Sequence, residues 1–156
     1  MLPFDSDLFP SREGVFIVGG SVRDILLGSA PFDYDLAVAG DARTFAADLA
    51  STLTGRLVVL GKESKAVFRV VKNPHTFDIV PLFQGNLSAD LGRRDFTINA
   101  MAYDLASAKI IDPFDARQDI TAQKIRLVGS RAFQEDPLRL LRAYRIGAGL
   151  GFEIEP

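Results

Sequence analysis

The sequence predicts an α+β domain that leads into a helical segment, and three observations carry that prediction. Short apolar runs bounded by glycine or turn residues, such as Val15–Val18 before Gly19-Gly20, read as buried strands. One stretch, 41–53, instead repeats its apolar residues at helical spacing. The elements also come in the order strand, helix, strand, helix, a run of strands, then helices, with no regular βαβ alternation.

Taken in order, strand 15–18 turns at the glycine pair, and Ser21 is placed to cap a helix over 22–27 closed by Gly28. Strand 34–38 follows. Asp41 then opens the amphipathic helix, with Phe45, Ala46, Leu49, Ala50 and Leu53 on one face. Strands at 57–60, 66–71 and 77–80 come next, the last two joined by a turn at Lys72-Asn73-Pro74. Beyond Gly85, Asp95 is expected to cap a helix reaching Tyr103. Strand 109–111 and the turn Asp112-Pro113-Phe114-Asp115 precede a last helix opened by Asp136-Pro137.

With 156 residues, 47% of them hydrophobic, the chain is large enough for one packed core. It has no cysteine, which excludes disulfides, thiolate zinc sites and thiol nucleophiles. No apolar run approaches the roughly 20 residues that span a bilayer, so no membrane partner is expected. Residues 1–10 carry acids rather than a basic then apolar leader, and a cytoplasmic protein is the expectation. A net charge of −2 excludes a chain-wide polyanion surface and leaves that task to local arginine clusters. The closing residues, 147–156, read as an interruption of a helical segment, so a fragment is expected.

Asp33 and Asp35 lie two apart at a strand start, which sets both carboxylates on one face, roughly 7 Å apart along the chain. Two such anions repel unless a cation lies between them, and hard oxygen ligands suit magnesium. A turn with solvated acids has the same bare pattern; the neighbouring residues favour the metal. Gly19 and Gly20 permit close backbone approach, and the helix start behind them, with Ser21 and Arg23, favours a phosphate. Together these segments resemble the polymerase-β-type nucleotidyltransferase signature, which implies a third acid on a neighbouring strand. Asp78 interrupts an apolar strand, where an ionised acid needs a partner; a metal shared with Asp33 and Asp35 is the expected one. Asp95 is the rival. His75 is read as a surface-loop residue.

Arg93 and Arg94 stand ahead of the helix expected at Asp95, where cations oppose the helix dipole unless an anion sits there. In the last helix, Arg139, Arg142 and Arg145 fall within an arc of about 120°. Leu140, Ala143 and Tyr144 lie opposite and are expected to face the core. An arginine fork beside Asp136 offers donors and an acceptor to a base edge.

These segments in this order resemble the class II tRNA nucleotidyltransferase and bacterial poly(A) polymerase family. The matching residues are Gly19 to Asp24, Asp33-Tyr34-Asp35, Arg93 to Ala100 (with Asp95 and Asn99), Asp112 to Asp115, and Glu135-Asp136 with the arginines behind it. The resemblance implies a catalytic head of mixed or antiparallel sheet with flanking helices over 1–115, and the start of a helical neck over 116–156. It implies two magnesium ions on Asp33 and Asp35, with CTP and ATP as substrates. Gly20, Arg23 and Arg94 would lie near the triphosphate, with Gly19, Ser21, Arg93, Asp95 and Asn99 also binding the nucleotide, and a tRNA or other RNA 3′ end would receive it. Asp136 and Arg139 would pair with the incoming base, with Arg142 and Arg145 in the same pocket. In the family a helical body and tail follow and hold the RNA. One departure is local: after Asp78 this chain reads Ile79-Val80-Pro81-Leu82 where many relatives have a threonine–phenylalanine–arginine run. Three readings stay open: a CCA-adding enzyme, a poly(A), A-only or C-only enzyme with the same chemistry, and a catalytically silent nucleotide- or RNA-binding head.

Overall fold

The computed structural model describes residues 8–9, 12–62, 66–130 and 132–155, without the side chains of Ala132 and Glu135. The reading of 1–10 as unlike a signal peptide therefore falls mostly outside the described residues, as does the side chain of Glu135. Seven strands form one sheet: β1 (Val15–Val18), β2 (Asp33–Val38), β3 (Arg56–Leu60), β4 (Val67–Lys72), β5 (His75–Pro81), β6 (Ala102–Asp104) and β7 (Lys109–Ile111). Their spatial order is β3-β4-β5-β2-β1-β6-β7. All neighbours are antiparallel except β2 and β5, which run parallel with Asp35 opposite Asp78. The expected mixed sheet with flanking helices is present.

Alternation divides the sheet. Tyr34, Leu36, Val38, Phe77, Ile79, Val15 and Ile17 point to one face, where they pack against α1 (Gly20–Leu26) and α2 (Ala42–Thr52). Asp41 caps α2 by accepting from the N–H groups of Arg43 and Thr44. The opposite face carries Asp33, Asp35, Arg69 and Asp78. A smaller cluster of Val18, Ala37, Leu82, Leu91 and Ala102 brings α3 (Leu87–Gly92) against it. A third cluster joins Phe96 and Ile98 to Ile125, Ala143 and Phe152. It binds the segment containing α4 (Ala116–Thr121), β8 (Lys124–Ile125), α5 (Ala132–Glu135), α6 (Leu138–Leu150) and β9 (Glu153–Ile154) to the sheet domain.

Several expectations are corrected. No helix runs from Asp95 to Tyr103: a 3₁₀ turn at Thr97–Asn99 gives way to β6, which pairs with the free edge of β1. Residues 96–102 are all buried, so this stretch has no wet face for an amphipathic helix to present. On α6 the buried residues are Ala143 and Gly147, whereas Leu140 is 46% and Tyr144 62% exposed. The helix approaches closely along this small-residue seam: a Cβ on Gly147 would lie 3.1 Å from the Phe152 carbonyl oxygen. His75 begins β5, half buried and stacked on Phe32, with its Nδ1 unpartnered. Among the described residues no helix is long and apolar enough to cross a membrane.

Candidate active site

The site is built where β1 ends and β2 begins. α1 starts at Gly20, two residues earlier than its sequence suggests, and Ser21 is not a cap. Its buried hydroxyl donates to the Asp33 carbonyl oxygen (3.1 Å) and accepts from the Asp35 N–H (3.2 Å), which fastens the helix to β2. Gly19 takes φ 73°, a left-handed conformation that favours glycine. A Cβ there would lie 2.9 Å from Arg94 Nη1 and 3.2 Å from Asp35 Oδ2. Only a bare backbone leaves room for both groups.

Asp33 and Asp35 share the open sheet face. Asp35 stands beside Asp78 across the parallel pair, and Asp78 beside Arg69 across the antiparallel one. Arg69 binds Asp78 in two-pronged fashion, Nε to Oδ1 and Nη2 to Oδ2, both at 2.7 Å. Within its apolar strand Asp78 thus has a charge partner in Arg69. Neither Arg69 nor this pairing was anticipated from the sequence. The side of Asp35 toward the cleft is open, while protein encloses the rest of it. Burial, reinforced by the charges of Asp78 and Asp33, raises its pKa above the ordinary value of 3.8 despite the opposing pull of Arg94 and Arg142.

The arginines are held by acids. Asp90, fully buried in α3, accepts from Arg93 Nη2 (3.0 Å) and Arg94 Nη2 (2.9 Å). Burial pushes the Asp90 carboxyl up, but the hydrogen bonds and charges of Arg94 and Arg93 outweigh it and hold the pKa low. The Arg93 guanidinium also lies 4.8 Å over the Phe83 ring. Arg23 is tied to Asp24 and, at 2.7 Å, donates to the Asn99 side-chain oxygen. Asp95 accepts from the Phe96 N–H and from the Asn99 amide through Oδ1. Arg142 Nη2 approaches its Oδ2 to 2.9 Å as an ion pair without hydrogen-bond alignment. Arg139 donates to the Arg93 carbonyl oxygen, and Asp136 accepts from the Leu138 N–H.

Two clefts share this wall. One, about 260 Å³, is lined by Gly19, Gly20, Asp35, Arg93, Arg94, Asp95, Asn99, Asp136, Arg139 and Arg142. The second, about 480 Å³, shares Gly20, Asp35, Asn99 and Arg142 and adds Arg23, Asp24 and Arg145. Asp33, Asp78 and Ser21 line neither cleft. A further cleft of about 520 Å³ between Asp112 and Ala122 shares no lining residue with them and has none of these arginines from the α3 and α6 regions.

Among the described residues no three acidic, histidine or cysteine side chains converge to hold one ion. The pair Asp33 and Asp35 nevertheless fits a hard divalent cation: both are exposed oxygen donors on one open face, two residues apart on β2.

The family described as the poly(A) polymerase head domain matches residues 15–83 and 81–126. A CC-adding tRNA nucleotidyltransferase of Synechocystis sp. is 40% identical over 99% of this chain and 37% of its own length. An A-adding tRNA nucleotidyltransferase of Halalkalibacterium halodurans is 34% identical over 92% of this chain and 38% of its own. Among solved structures, a tRNA nucleotidyltransferase complexed with a primer tRNA and an incoming ATP analog superimposes with a TM-score of 0.81 at 33% identity. That match covers 91% of this chain and 43% of the other. The chain thus spans little more than a third of the length of the curated relatives it matches.

Proposed function

The chain belongs to the poly(A) polymerase head-domain family, and from this premise we propose that it carries the transfer site of an enzyme adding nucleotides from CTP and ATP to a tRNA 3′ end. One observation carries the reading: the glycine turn, Asp35, Arg93 to Asp95 with Asn99, and Asp136, Arg139 and Arg142, distant in sequence, all line a single cleft. Residues 1–115 then form the catalytic head and 116–156 the beginning of a neck, with the cytoplasm as the place of action.

In the reaction an RNA 3′-hydroxyl oxygen bonds to the α-phosphorus as the bond to the pyrophosphate oxygen breaks, and pyrophosphate leaves. Asp33 and Asp35 would hold magnesium, two ions in this reading, which when bound lowers the pKa of the attacking hydroxyl and offsets charge on the leaving group. The chain's own residues position the reactants. The side-chain-free Gly19 and Gly20 leave room for phosphate oxygens beside the first N–H groups of α1. Arg94, held from behind by Asp90, and Arg93 and Arg23 supply permanent donors to the triphosphate. Asn99 holds Arg23, and Asp95 holds Asn99 and pairs with Arg142. Asp136 and Arg139 line the base end of the cleft as acceptor and donors, with Arg142 and Arg145 alongside. Asp78 is kept beside Asp35 as a flanking charge. The relatives include both CC-adding and A-adding enzymes, so the same head chemistry is compatible with a product other than full CCA.

The test is Asp35→Asn in the full-length protein, assayed with tRNA lacking its 3′ end. Incorporation of labelled CTP and ATP should fall by about 10²–10³-fold or more, with the melting curve preserved. Incorporation at the wild-type rate would reject the assignment.

A further inference from the structure

We propose that Arg69 is a resident counter-ion that keeps Asp78 out of the ligand set, so that Asp33 and Asp35 alone carry the divalent cation. This role presupposes the transfer site proposed above. Arg69, Asp78 and Asp35 form one rung across three neighbouring strands, with strands roughly 4.8 Å apart. Three acids so close on one face would repel strongly without a cation. The guanidinium engages both Asp78 oxygens at 2.7 Å and so fixes the plane of the carboxylate in its own direction. The pair sits on the open face, with side-chain exposures of 41% and 28%, on the same side of the sheet as Asp33 and Asp35. The charged form of Arg69 is favoured by Asp78 first and also by Asp33 and Asp35, so its field reaches all three acids.

Charge counting separates the roles. Three acids and one arginine give the group −2; without Arg69 it is −3, without the Asp78 charge −1, and without both −2 again. If Arg69 only sets the field and Asp78 is not a ligand, cation affinity follows this count.

The experiment titrates the full-length protein with MnCl₂ in the absence of nucleotide and RNA. Free Mn²⁺ is read by electron paramagnetic resonance, and a thermal melt of each variant establishes folding. Arg69→Gln should bind Mn²⁺ about threefold tighter or more, Asp78→Asn weaker by a similar factor, and the double variant within about twofold of wild type. A double variant as weak as Asp78→Asn would make Asp78 a ligand in its own right and overturn the proposal. Unchanged affinity in Arg69→Gln, with only a lowered melting temperature, would reduce the pair to a structural clasp and also overturn it. Asp35→Asn serves as the control: wild-type Mn²⁺ affinity there would defeat the two-acid site itself rather than the part played by Arg69.

Discussion

Asp90 shows how a single buried charge serves the surface above it. It has no exposed area, yet both of its oxygens are used, one by each arginine of the Arg93-Arg94 pair and one also by the Phe83 N–H. Asp90→Asn keeps the shape and removes the charge, and should cost roughly 2–3 kcal/mol at neutral pH. The sign of the pH dependence follows from the depressed folded pKa: the unfolded carboxyl, near 3.8, binds its proton first as pH falls. The stabilisation is therefore full above that value and disappears as pH drops through the lower folded pKa. Urea titrations at several pH values should show the wild-type and Asp90→Asn curves converging in acid; a constant gap would contradict the ion-pair account. Gly19 is the complementary case, where absence of a side chain matters. Gly19→Ala should strain the backbone by about 1–2 kcal/mol and also push Arg94 and Asp35 apart. Loss of incorporation well beyond the loss of fold, measured on the same preparation, is the expected result.

At the scale of elements, the strands and α2 were legible because alternation and helical periodicity are strong where one face is buried. The β4–β5 hairpin even contained the register that locates Arg69. With Lys72 opposite His75 across the turn, counting back puts residue 69 opposite 78. That register alone sets the two side chains within ion-pairing reach on one face of the hairpin. Asp90 left a weaker trace, three and four residues before two arginines at and just beyond the end of α3. The stretch 96–102 was misread because residues buried on every side lose their periodicity, so that a local preference yields to the free edge of β1. On α6, of the residues expected to face the core, Ala143 is buried while Leu140 and Tyr144 are exposed, and Gly147 joins Ala143 in the close approach. Arg139 projects from the first turn of that helix into the cleft, where it donates to the Arg93 carbonyl oxygen. Arg139→Ala should therefore disturb CTP/ATP choice more than total turnover. Competition assays with both nucleotides check this, and an unchanged ratio would remove the base-pairing role.

Across the whole molecule, the sheet separates two tasks. One face buries α1 and α2 and supplies the core; the other leaves the acids open and is bordered by α3 and the 3₁₀ turn at Thr97–Asn99. The segment beyond Ile111 adds a cluster of its own around Ile125, Ala143 and Phe152, anchored to the head by Phe96 and Ile98. Ion pairing of Arg142 with Asp95 and the bond from Arg139 to Arg93 then close the cleft from that side. Two surfaces that are separate in sequence thus become a single wall, with acids at its floor and arginines around its rim. The measurement that bears most directly on this arrangement is product sequencing. Full-length protein is incubated with tRNA lacking its 3′ end and with CTP, ATP, or both. The account predicts defined C and A additions that disappear with Asp35→Asn. Unextended tRNA with wild-type protein under every nucleotide condition would contradict it.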